Sequence, residues 1–178
     1  DYLAFLDHYR EEDDYLPLAG ITANLSHAYF AVGTGAGARI AALAGPWLGT
    51  VLERIGYDPG PAENQTTAIL RDQLLFEAAR YGCPQAEAFA RKRFEALRQS
   101  GTVHPDILRS VLQIGAWHGD GRIFDWMDRR FQASPSEHER LTILAALGCF
   151  RGRTEIEKIL DYVLTSVPAR NVFIPLVA

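Results

Sequence analysis

The sequence predicts an all-α protein in which antiparallel helical hairpins stack as an α-α superhelix. Between residues 66 and 165 the same pattern occurs three times: an apolar helix that closes on a glycine, followed at once by an amphipathic helix. The closing glycines Gly82, Gly119 and Gly152 lie 37 and 33 residues apart, a spacing typical of helical-repeat proteins. No stretch alternates apolar and polar residues for long enough to indicate a strand.

We expect one helical-repeat domain over residues 1–178, with repeat units at about residues 66–99, 104–133 and 136–165. A chain of 178 residues that is 48% hydrophobic can bury a full core. It opens on an aspartate and closes on an apolar run at residues 172–177, so we also expect it to be a fragment of a larger domain. A complete repeat protein would instead carry polar capping repeats at its ends.

Capping residues, glycines and prolines mark the ends of the predicted helices. Pro17 and Pro84 fall in first turns, where a missing N–H costs nothing, and the sequence DPGP at residues 58–61 stops a helix firmly. Ser136 and Thr154 each stand three residues before a glutamate, the spacing of a capping box. Predicted helices cover residues 2–9, 36–55, 85–99 and 106–117. Two others run from Asp14 to near Gly33 and from Asn64 or Thr66 to Gly82. Three more begin after Asp120, Ser136 and Thr154.

The composition argues against several classes of partner. The net charge is −4 and lysine and arginine form no cluster, so we expect no nucleic acid partner. No apolar run approaches the roughly 18 residues that a membrane span requires. Cys83 and Cys149 each follow a predicted buried helix, where a free thiol behaves as a small hydrophobe, although a single bridge between them stays open. The sequence leaves the cellular compartment undetermined and only slightly favours the cytoplasm.

Residues 33–38 read GTGAGA and contain the GxGxxA form of the dinucleotide fingerprint. In a true fingerprint these glycines follow a strand and bring the backbone close to a pyrophosphate, and an acidic residue about 20 positions later binds the ribose. Glu53 has that spacing, and the sequence YFAV at residues 29–32 could pass for the strand. Because no second strand follows, a flexible turn between two helices is the favoured interpretation.

The sequence assembles no catalytic or metal site. His138 and Glu139 match half of the zinc motif HExxH, in which two histidines one helical turn apart bind the metal. Thr142 stands in place of the second histidine, so Glu139 fits better as the capping-box partner of Ser136. The serines lack a nucleophile-elbow context, and neither cysteine belongs to a recognisable pair with histidine. We therefore predict no catalytic residue, no metal ligand and no cofactor in this chain.

Two groups of side chains could form a ligand surface. Trp117, Phe124, Trp126 and Phe131 lie at helical spacing beside aliphatic residues, and such aromatic side chains more often belong to a core. Several arginines near the repeat helices could bind a peptide carboxylate through paired hydrogen bonds, whereas salt bridges are the commoner outcome. These arginines are Arg71, Arg109, Arg140 and Arg153. No substrate-binding residue is assigned.

Several short segments occur in an order that resembles one known domain family. They are LR at residues 70–71 with AARYG at 78–82, PDILRSV at 105–111 with Gly115 and GD at 119–120, Trp126 with Phe131, and ERL at 139–141 with AAL at 145–147. Over about residues 15–175 the chain is similar to the helical C-terminal domain of zinc aminopeptidases of the aminopeptidase N and endoplasmic reticulum aminopeptidase type. The segment VPARNV at residues 167–172 is similar to the connector into further helices of that domain.

The resemblance implies a HEAT-like superhelix that folds over a separate catalytic domain containing zinc, walls a peptide-binding cavity and helps the enzyme to open and close. In that family the zinc ligands, the catalytic glutamate and the motif that holds the substrate amino terminus lie outside this domain. No catalytic residue is carried over, and the chain alone is expected to be inactive. Its expected partners are the catalytic domain of the same parent chain and a peptide substrate. The alternative is a free-standing helical-repeat scaffold that binds another protein.

Overall fold

The computed structural model describes residues 2–12 and 14–177, and within these ranges it is helical and contains no strand, which confirms the all-α class. Its α-helices are α1 (Tyr2–Phe5), α2 (Tyr15–Ala31), α3 (Thr34–Ile55), α4 (Gln65–Arg80), α5 (Pro84–Ser100), α6 (Leu108–Trp117), α7 (Gly121–Ala133), α8 (Glu137–Leu147) and α9 (Arg153–Ser166). Short 3-10 turns lie at Leu6–Tyr9, Pro105–Ile107, Ala169–Asn171 and Ile174–Leu176. No helix in the described ranges combines the length and apolarity that crossing a membrane requires.

The chain forms two compact units, Asp1–Lys92 and Arg93–Ala178, which divide within α5. In the first unit α2, α3 and α4 pack against one another. Their most deeply buried side chains are mainly leucines, each of which contributes roughly 1.5–3 kcal/mol when it leaves water. These leucines are Leu18, Leu25, Leu48, Leu52, Leu70, Leu74 and Leu75.

In the second unit α8 packs against both α6 and α7. Seven consecutive residues of α6, from position 110 to position 116, are buried, so this helix is covered on every side. By contrast, α7 buries one face, which consists of Phe124, Met127 and Phe131. The core of this unit therefore forms around α6, and α7 contributes an amphipathic cover.

The three closing glycines of the sequence repeat have different structural roles. Gly82 has a φ of +83°, in the left-handed region, and the next amide, of Cys83, donates to the carbonyl of Ala78 at 2.9 Å. This is the six-residue hydrogen bond of a Schellman ending. At Gly119 a Cβ would lie 2.8 Å from a backbone oxygen of α6, so close packing requires the glycine. Gly152 is the N-cap of α9.

Local capping signals give most helix starts correctly. The side chains of Asn64, Asp120 and Ser136 each accept a hydrogen bond from a backbone amide two or three residues later. The capping box predicted at Thr154 is wrong, because α9 already begins one residue earlier with Gly152 as its N-cap. That N-cap has no side chain with which to satisfy the first amides.

Two glycines on α3 let this helix approach the turn between α4 and α5. A Cβ on Gly45 would lie 2.6 Å from the carbonyl oxygen of Tyr81, and a Cβ on Gly49 would lie 2.7 Å from the sulfur of Cys83. Both distances are too short for a real side chain. Pro46, the residue after Gly45, lies inside α3 and does not end the helix. The contact with the turn thus depends on glycine at positions that lie one helical turn apart.

Candidate functional site

Arg71 on α4 is a fully buried charged residue, with a relative exposure of 0%. Its guanidinium forms a two-pronged ion pair with Glu63, in which Nη1 and Oε2 are 2.5 Å apart. Its Nε and Nη2 groups also donate to the carbonyls of Gly56 and Ile55, at 2.6 and 2.8 Å. These carbonyls lie at the end of α3, where the helix dipole is negative. Arg71 therefore ties α4 to the end of α3 and is enclosed away from any peptide carboxylate.

Arg80, the last residue of α4, lies among aromatic rings. It forms an ion pair with Glu77 and donates to the hydroxyl of Ser26 at 2.8 Å and to that of Tyr81 at 3.1 Å. Its guanidinium carbon lies 4.8 Å from the centre of the Phe30 ring, within range of a cation–π contact. Burial is the main reason why the pKa of the Tyr81 hydroxyl lies far above its ordinary value, so this hydroxyl stays neutral.

A polar cluster in the second unit links the end of α7 to the first turn of α8. The carboxylate of Glu139 accepts hydrogen bonds from Nε of Arg130 at 2.7 Å and from the hydroxyl of Ser134 at 2.6 Å. Nη2 of Arg130 also donates to the carbonyl of Gly101 at 3.1 Å. Burial raises the pKa of Glu139, but the bonds from Ser134 and Arg130 and the arginine charge outweigh it, so the pKa lies below its ordinary value. Glu139 therefore remains ionised at neutral pH.

These contacts correct the capping box predicted at residues 136–139. The hydroxyl of Ser136 accepts from the amide of Glu139 at 3.3 Å, as predicted. The reverse bond is replaced, because the amide of Ser136 donates to the hydroxyl of Ser134 at 3.2 Å. The carboxylate of Glu139 is thereby free to pair with Arg130. The bond from the Glu139 amide to the Ser136 hydroxyl thus forms as in a capping box, whereas the Glu139 carboxylate forms a tertiary ion pair with Arg130.

The four candidate aromatic side chains fall into two pairs. The buried pair is Phe124 and Phe131. Trp117 and Trp126 are only half-buried. Trp126 packs edge-on against Phe94 with ring centres 5.5 Å apart, and the guanidinium carbon of Arg151 lies 4.6 Å from the centre of the Trp117 ring. The tryptophans thus contact neighbouring side chains, and the four rings form no common ligand surface.

The other candidate arginines do not converge on one site. Nη1 of Arg140 donates to the carbonyl of Ser134 at 2.7 Å. Arg153 pairs with Glu157 at 2.9 Å on the exposed face of α9, and exposed pairs of this kind contribute little. Arg109 is exposed on α6. Together with the buried Arg71, these residues have separate structural surroundings and provide no shared carboxylate clamp.

Residues 33–38 do not form a nucleotide-binding loop. The helix α2 continues to Ala31, so the possible strand at residues 29–32 is helical over its first three positions. Since α3 begins at Thr34, the turn between α2 and α3 consists of residues 32 and 33, so the predicted turn between two helices is present and α3 begins two residues before its predicted start at residue 36. A Cβ on Gly37 would lie 3.6 Å from the ring of Tyr29, an ordinary packing distance. Gly35 and Gly37 thus belong to a helix that follows a very short turn, and Gly33 is the N-cap of that helix.

Within residues 2–12 and 14–177, no group of three or more histidine, cysteine, aspartate or glutamate side chains lies together in a way that could hold a metal ion. His138 is exposed, and its carbonyl accepts from the hydroxyl of Thr142 at 2.9 Å. Its neighbour Glu139 is paired with Arg130. The described side chains therefore offer no set of ligands that fits zinc.

The sequence of the whole chain, residues 1–178, matches the family model of the ERAP1-like C-terminal domain. The chain belongs to this family. One curated relative, Aminopeptidase 2 of Candida albicans, is 23% identical over 129 residues, an alignment that covers 70% of this chain and 14% of the relative. This ERAP1-like C-terminal domain is thus a C-terminal domain of an aminopeptidase and spans about one seventh of that relative's length. The resemblance inferred from the order of short motifs is confirmed.

Several of those short motifs contain members of the ionic clusters of the ERAP1-like domain. Arg71 comes from the LR segment, Arg80 from AARYG, and Glu139 from ERL. Each of the three joins parts of the chain that are separate in sequence. These three segments of the resemblance therefore have structural roles.

The first unit of the ERAP1-like domain contains a cavity that its sequence did not predict. It lies between the N-terminal segment and α3, and its walls include Arg39, Pro46 and Trp47. The available signal was Pro46, a proline inside an otherwise regular helical pattern. The residue pattern of α3 alone does not show, however, that a segment some thirty positions earlier packs against this helix.

Proposed function

We propose that this domain is a non-catalytic helical part of a zinc aminopeptidase, where it forms part of the wall of the peptide-binding cavity and takes part in opening and closing. The observation that carries the proposal is the family match over residues 1–178. Because the chain covers 14% of an aminopeptidase relative, we assign peptide hydrolysis to the remainder of such a protein. The role of this domain is then to bound and shape the space that the peptide enters.

Zinc in the catalytic domain of such an enzyme would activate water and polarise the peptide carbonyl. The described residues of this chain offer no ligand set for the ion, so we assign them a mechanical role. The ion pairs Arg71–Glu63 and Arg130–Glu139 fasten helix ends to neighbouring elements. These ion pairs therefore help each unit to keep its shape, which the wall of a cavity requires.

The first experiment tests whether this chain is catalytically silent. The purified chain is incubated with leucyl 4-nitroanilide in the presence and in the absence of added zinc, beside the full-length parent enzyme as a positive control. We expect no release of nitroaniline by the chain and turnover by the parent. Turnover that copurifies with the chain and survives removal of contaminating peptidases would overturn the proposal.

The second experiment tests the cavity wall in the full-length parent. A peptide substrate that carries a photoreactive benzophenone is bound to the enzyme, irradiated, and the labelled positions are mapped by mass spectrometry. We expect labels within residues 1–178, and we expect excess unlabelled peptide to remove them. Labels confined to other parts of the protein would contradict the cavity wall. A gene for the full protein without a zinc-peptidase segment would instead favour the free-standing scaffold.

A further inference from the structure

The outward side of α9 carries a stripe of exposed aliphatic side chains. Ile156, Leu160 and Leu164 have relative exposures of 43%, 47% and 83%. They lie at positions i, i+4 and i+8, so they follow one another along one side of the helix. Single apolar residues are normal on a protein surface, whereas a continuous apolar patch indicates a surface that binds something. We call these three residues the α9 stripe.

The contact between α7 and α9 shows how one helix of the second unit receives another. Lys158 of α9 pairs with Asp125 of α7 at 2.6 Å, and one turn later the hydroxyl of Tyr162 donates to Asp128 at 2.6 Å. The side chains of α7 that these two residues contact are Phe124, Asp125, Asp128 and Gln132. They lie on one side of α7, which is the receiving face of this helix.

The α9 stripe has the same position on α9 as the receiving face has on α7. The N-caps of the two helices are Asp120 and Gly152, so a step of 32 residues relates α7 to α9. This step carries Phe124 onto Ile156, Asp128 onto Leu160 and Gln132 onto Leu164. The α9 stripe is therefore the receiving face of α9, with an aliphatic residue at each of these three positions.

The opposite faces of the two helices correspond under the same step, which carries Trp126 of α7 onto Lys158 of α9. Trp126 packs edge-on against Phe94 of α5 with ring centres 5.5 Å apart, and Lys158 contacts α7. Thus α7 contacts α5, and α9 contacts α7, through equivalent residues. The α9 stripe is where a further member of the series α5, α7 and α9 would pack.

We propose that the α9 stripe binds a further amphipathic helix of the parent chain, which lies outside residues 1–178 and packs on α9 as α9 packs on α7. The inference rests on the proposed function for one point, the longer aminopeptidase chain that supplies this helix. It does not depend on which surface of the domain walls the peptide cavity.

The receiving face of α7 also predicts the chemistry of the incoming helix. Asp125, which pairs with Lys158, corresponds to the exposed Glu157 of α9. The incoming helix should therefore carry a lysine or an arginine opposite Glu157. Four positions later it should carry an apolar residue in the place of Tyr162, because leucines replace both residues that bond the Tyr162 hydroxyl. A basic residue followed after four positions by an apolar one is thus the expected signature.

A second copy of the chain fits the α9 stripe less well than a helix of the same polypeptide. A stable dimer buries roughly 800 Å² on each partner, far more than three aliphatic side chains expose. A helix attached to the same polypeptide needs less surface, because the linkage gives it an effective concentration on the order of millimolar. The small size of the stripe therefore favours an intramolecular partner.

Thiol labelling in the full-length parent tests whether the α9 stripe is covered. Leu164→Cys places a thiol at its most exposed position, and Thr165→Cys, at an exposed residue on another side of α9, is the matched control. Each variant is labelled with a biotin maleimide in the parent and in the 178-residue chain, and the labelled peptides are quantified by mass spectrometry. We expect Leu164→Cys to react at least about tenfold more slowly in the parent, and Thr165→Cys to react at similar rates in both. Equal rates for Leu164→Cys, or slow labelling of both variants in the parent, would overturn the proposal.

Photocrosslinking identifies what covers the α9 stripe. Leu160 is replaced by p-benzoylphenylalanine in the full-length parent, and the crosslinks formed on irradiation are mapped by mass spectrometry. We expect crosslinks within one polypeptide, to a helical segment outside residues 1–178 that carries the expected signature. Crosslinks between two copies, crosslinks to the catalytic domain or an absence of crosslinks would overturn the proposal. This result does not depend on whether peptide substrates label the domain, so its failure is distinct from a failure of the cavity wall.

Glu157→Lys tests the charge assigned to the incoming helix. It should speed the labelling of Leu164→Cys in the parent about threefold, because two positive charges would then face each other. Glu157 pairs with Arg153 on its own helix, so the matched control is Glu95→Lys, which breaks a comparable exposed pair with Arg98. The control should leave the labelling rate unchanged. An unchanged rate for Glu157→Lys, or the same increase for both variants, would contradict a basic residue at that place.

Discussion

Arg71, Arg80 and Arg130 are arginines whose charge joins helices. A charge that leaves water must find partners, because the cost of leaving it unpaired is several kcal/mol, on the order of 3–5 kcal/mol when one member of a buried pair is removed. Arg71 satisfies this requirement with a carboxylate and two carbonyls at the end of α3. The residue type alone left both a peptide clamp and a salt bridge open, and burial decides in favour of the salt bridge.

The substitution Arg71→Met should lower the free energy of unfolding by about 3–5 kcal/mol. It removes the charge while it keeps most of the buried volume, and it leaves Glu63 and two carbonyls without their donor. Urea unfolding followed by the fluorescence of Trp47, in the W117F/W126F background, reports on the first unit. Arg109→Met, at an exposed arginine, is the matched control and should change stability by less than about 0.5 kcal/mol.

A double-mutant cycle with Glu63→Gln separates the ion pair from the carbonyl contacts. Glu63→Gln alone should be destabilising, and the two changes together should cost less than their sum because they remove the same interaction. Strict additivity would mean that the pair contributes nothing of its own. A loss below about 1 kcal/mol for Arg71→Met would contradict the structural role that its burial implies.

At the scale of helices, local sequence signals predict starts well and close contacts poorly. Asp120 caps α7 because its carboxylate lies beside the amides that α7 leaves unpaired, an arrangement that depends on neighbours in sequence alone. Glu139 has the same local signal, but Arg130, nine positions away, captures its carboxylate. The close approach of α3 to the turn after α4 also cannot be predicted from local sequence. The atom that requires a glycine at position 45 is the carbonyl oxygen of Tyr81.

Two glycine substitutions in the first unit test this contact. Gly45→Ala should lower stability by about 1–3 kcal/mol, because the new methyl group would meet a backbone oxygen that cannot turn aside. Gly20→Ala should raise stability by roughly 0.5–1 kcal/mol, since the position is an exposed helical one with no atom within 4 Å of the added carbon. Thermal unfolding of the two variants and the parent chain checks both signs. If Gly45→Ala does not lower the midpoint, the close approach of α3 to the turn is wrong.

At the scale of the whole molecule, the family could be inferred from the order of several motifs that are individually weak. The segments that contain Arg71, Arg80 and Glu139 identify the domain through contacts that stabilise it. The cavity beside α3 could not be inferred in this way. It depends on where the N-terminal segment returns, and that is set by Arg54 and Leu6 acting together over more than forty positions.

The two cysteines give a measurement that covers the whole chain, because one lies in each compact unit. Neither forms a disulfide in the structure, and both are almost completely buried, with relative exposures of 4% for Cys83 and 5% for Cys149. A thiol reacts as its thiolate and only where reagent can reach it, so each should react at least about tenfold more slowly in the folded chain than in denaturant. In denaturant without reductant the chain should release two equivalents of thionitrobenzoate from Ellman's reagent.

The single variants Cys83→Ser and Cys149→Ser assign the two reactions and should each leave one reactive thiol. A chain that shows no thiol in denaturant until reductant is added would contain the bridge that its sequence left open. If both thiols instead react as fast in buffer as in denaturant, the burial of both would be wrong. Because a buried thiol reacts only when its surroundings open, the two separate rates also compare how often the turn after α4 and the turn after α8 open in the folded chain.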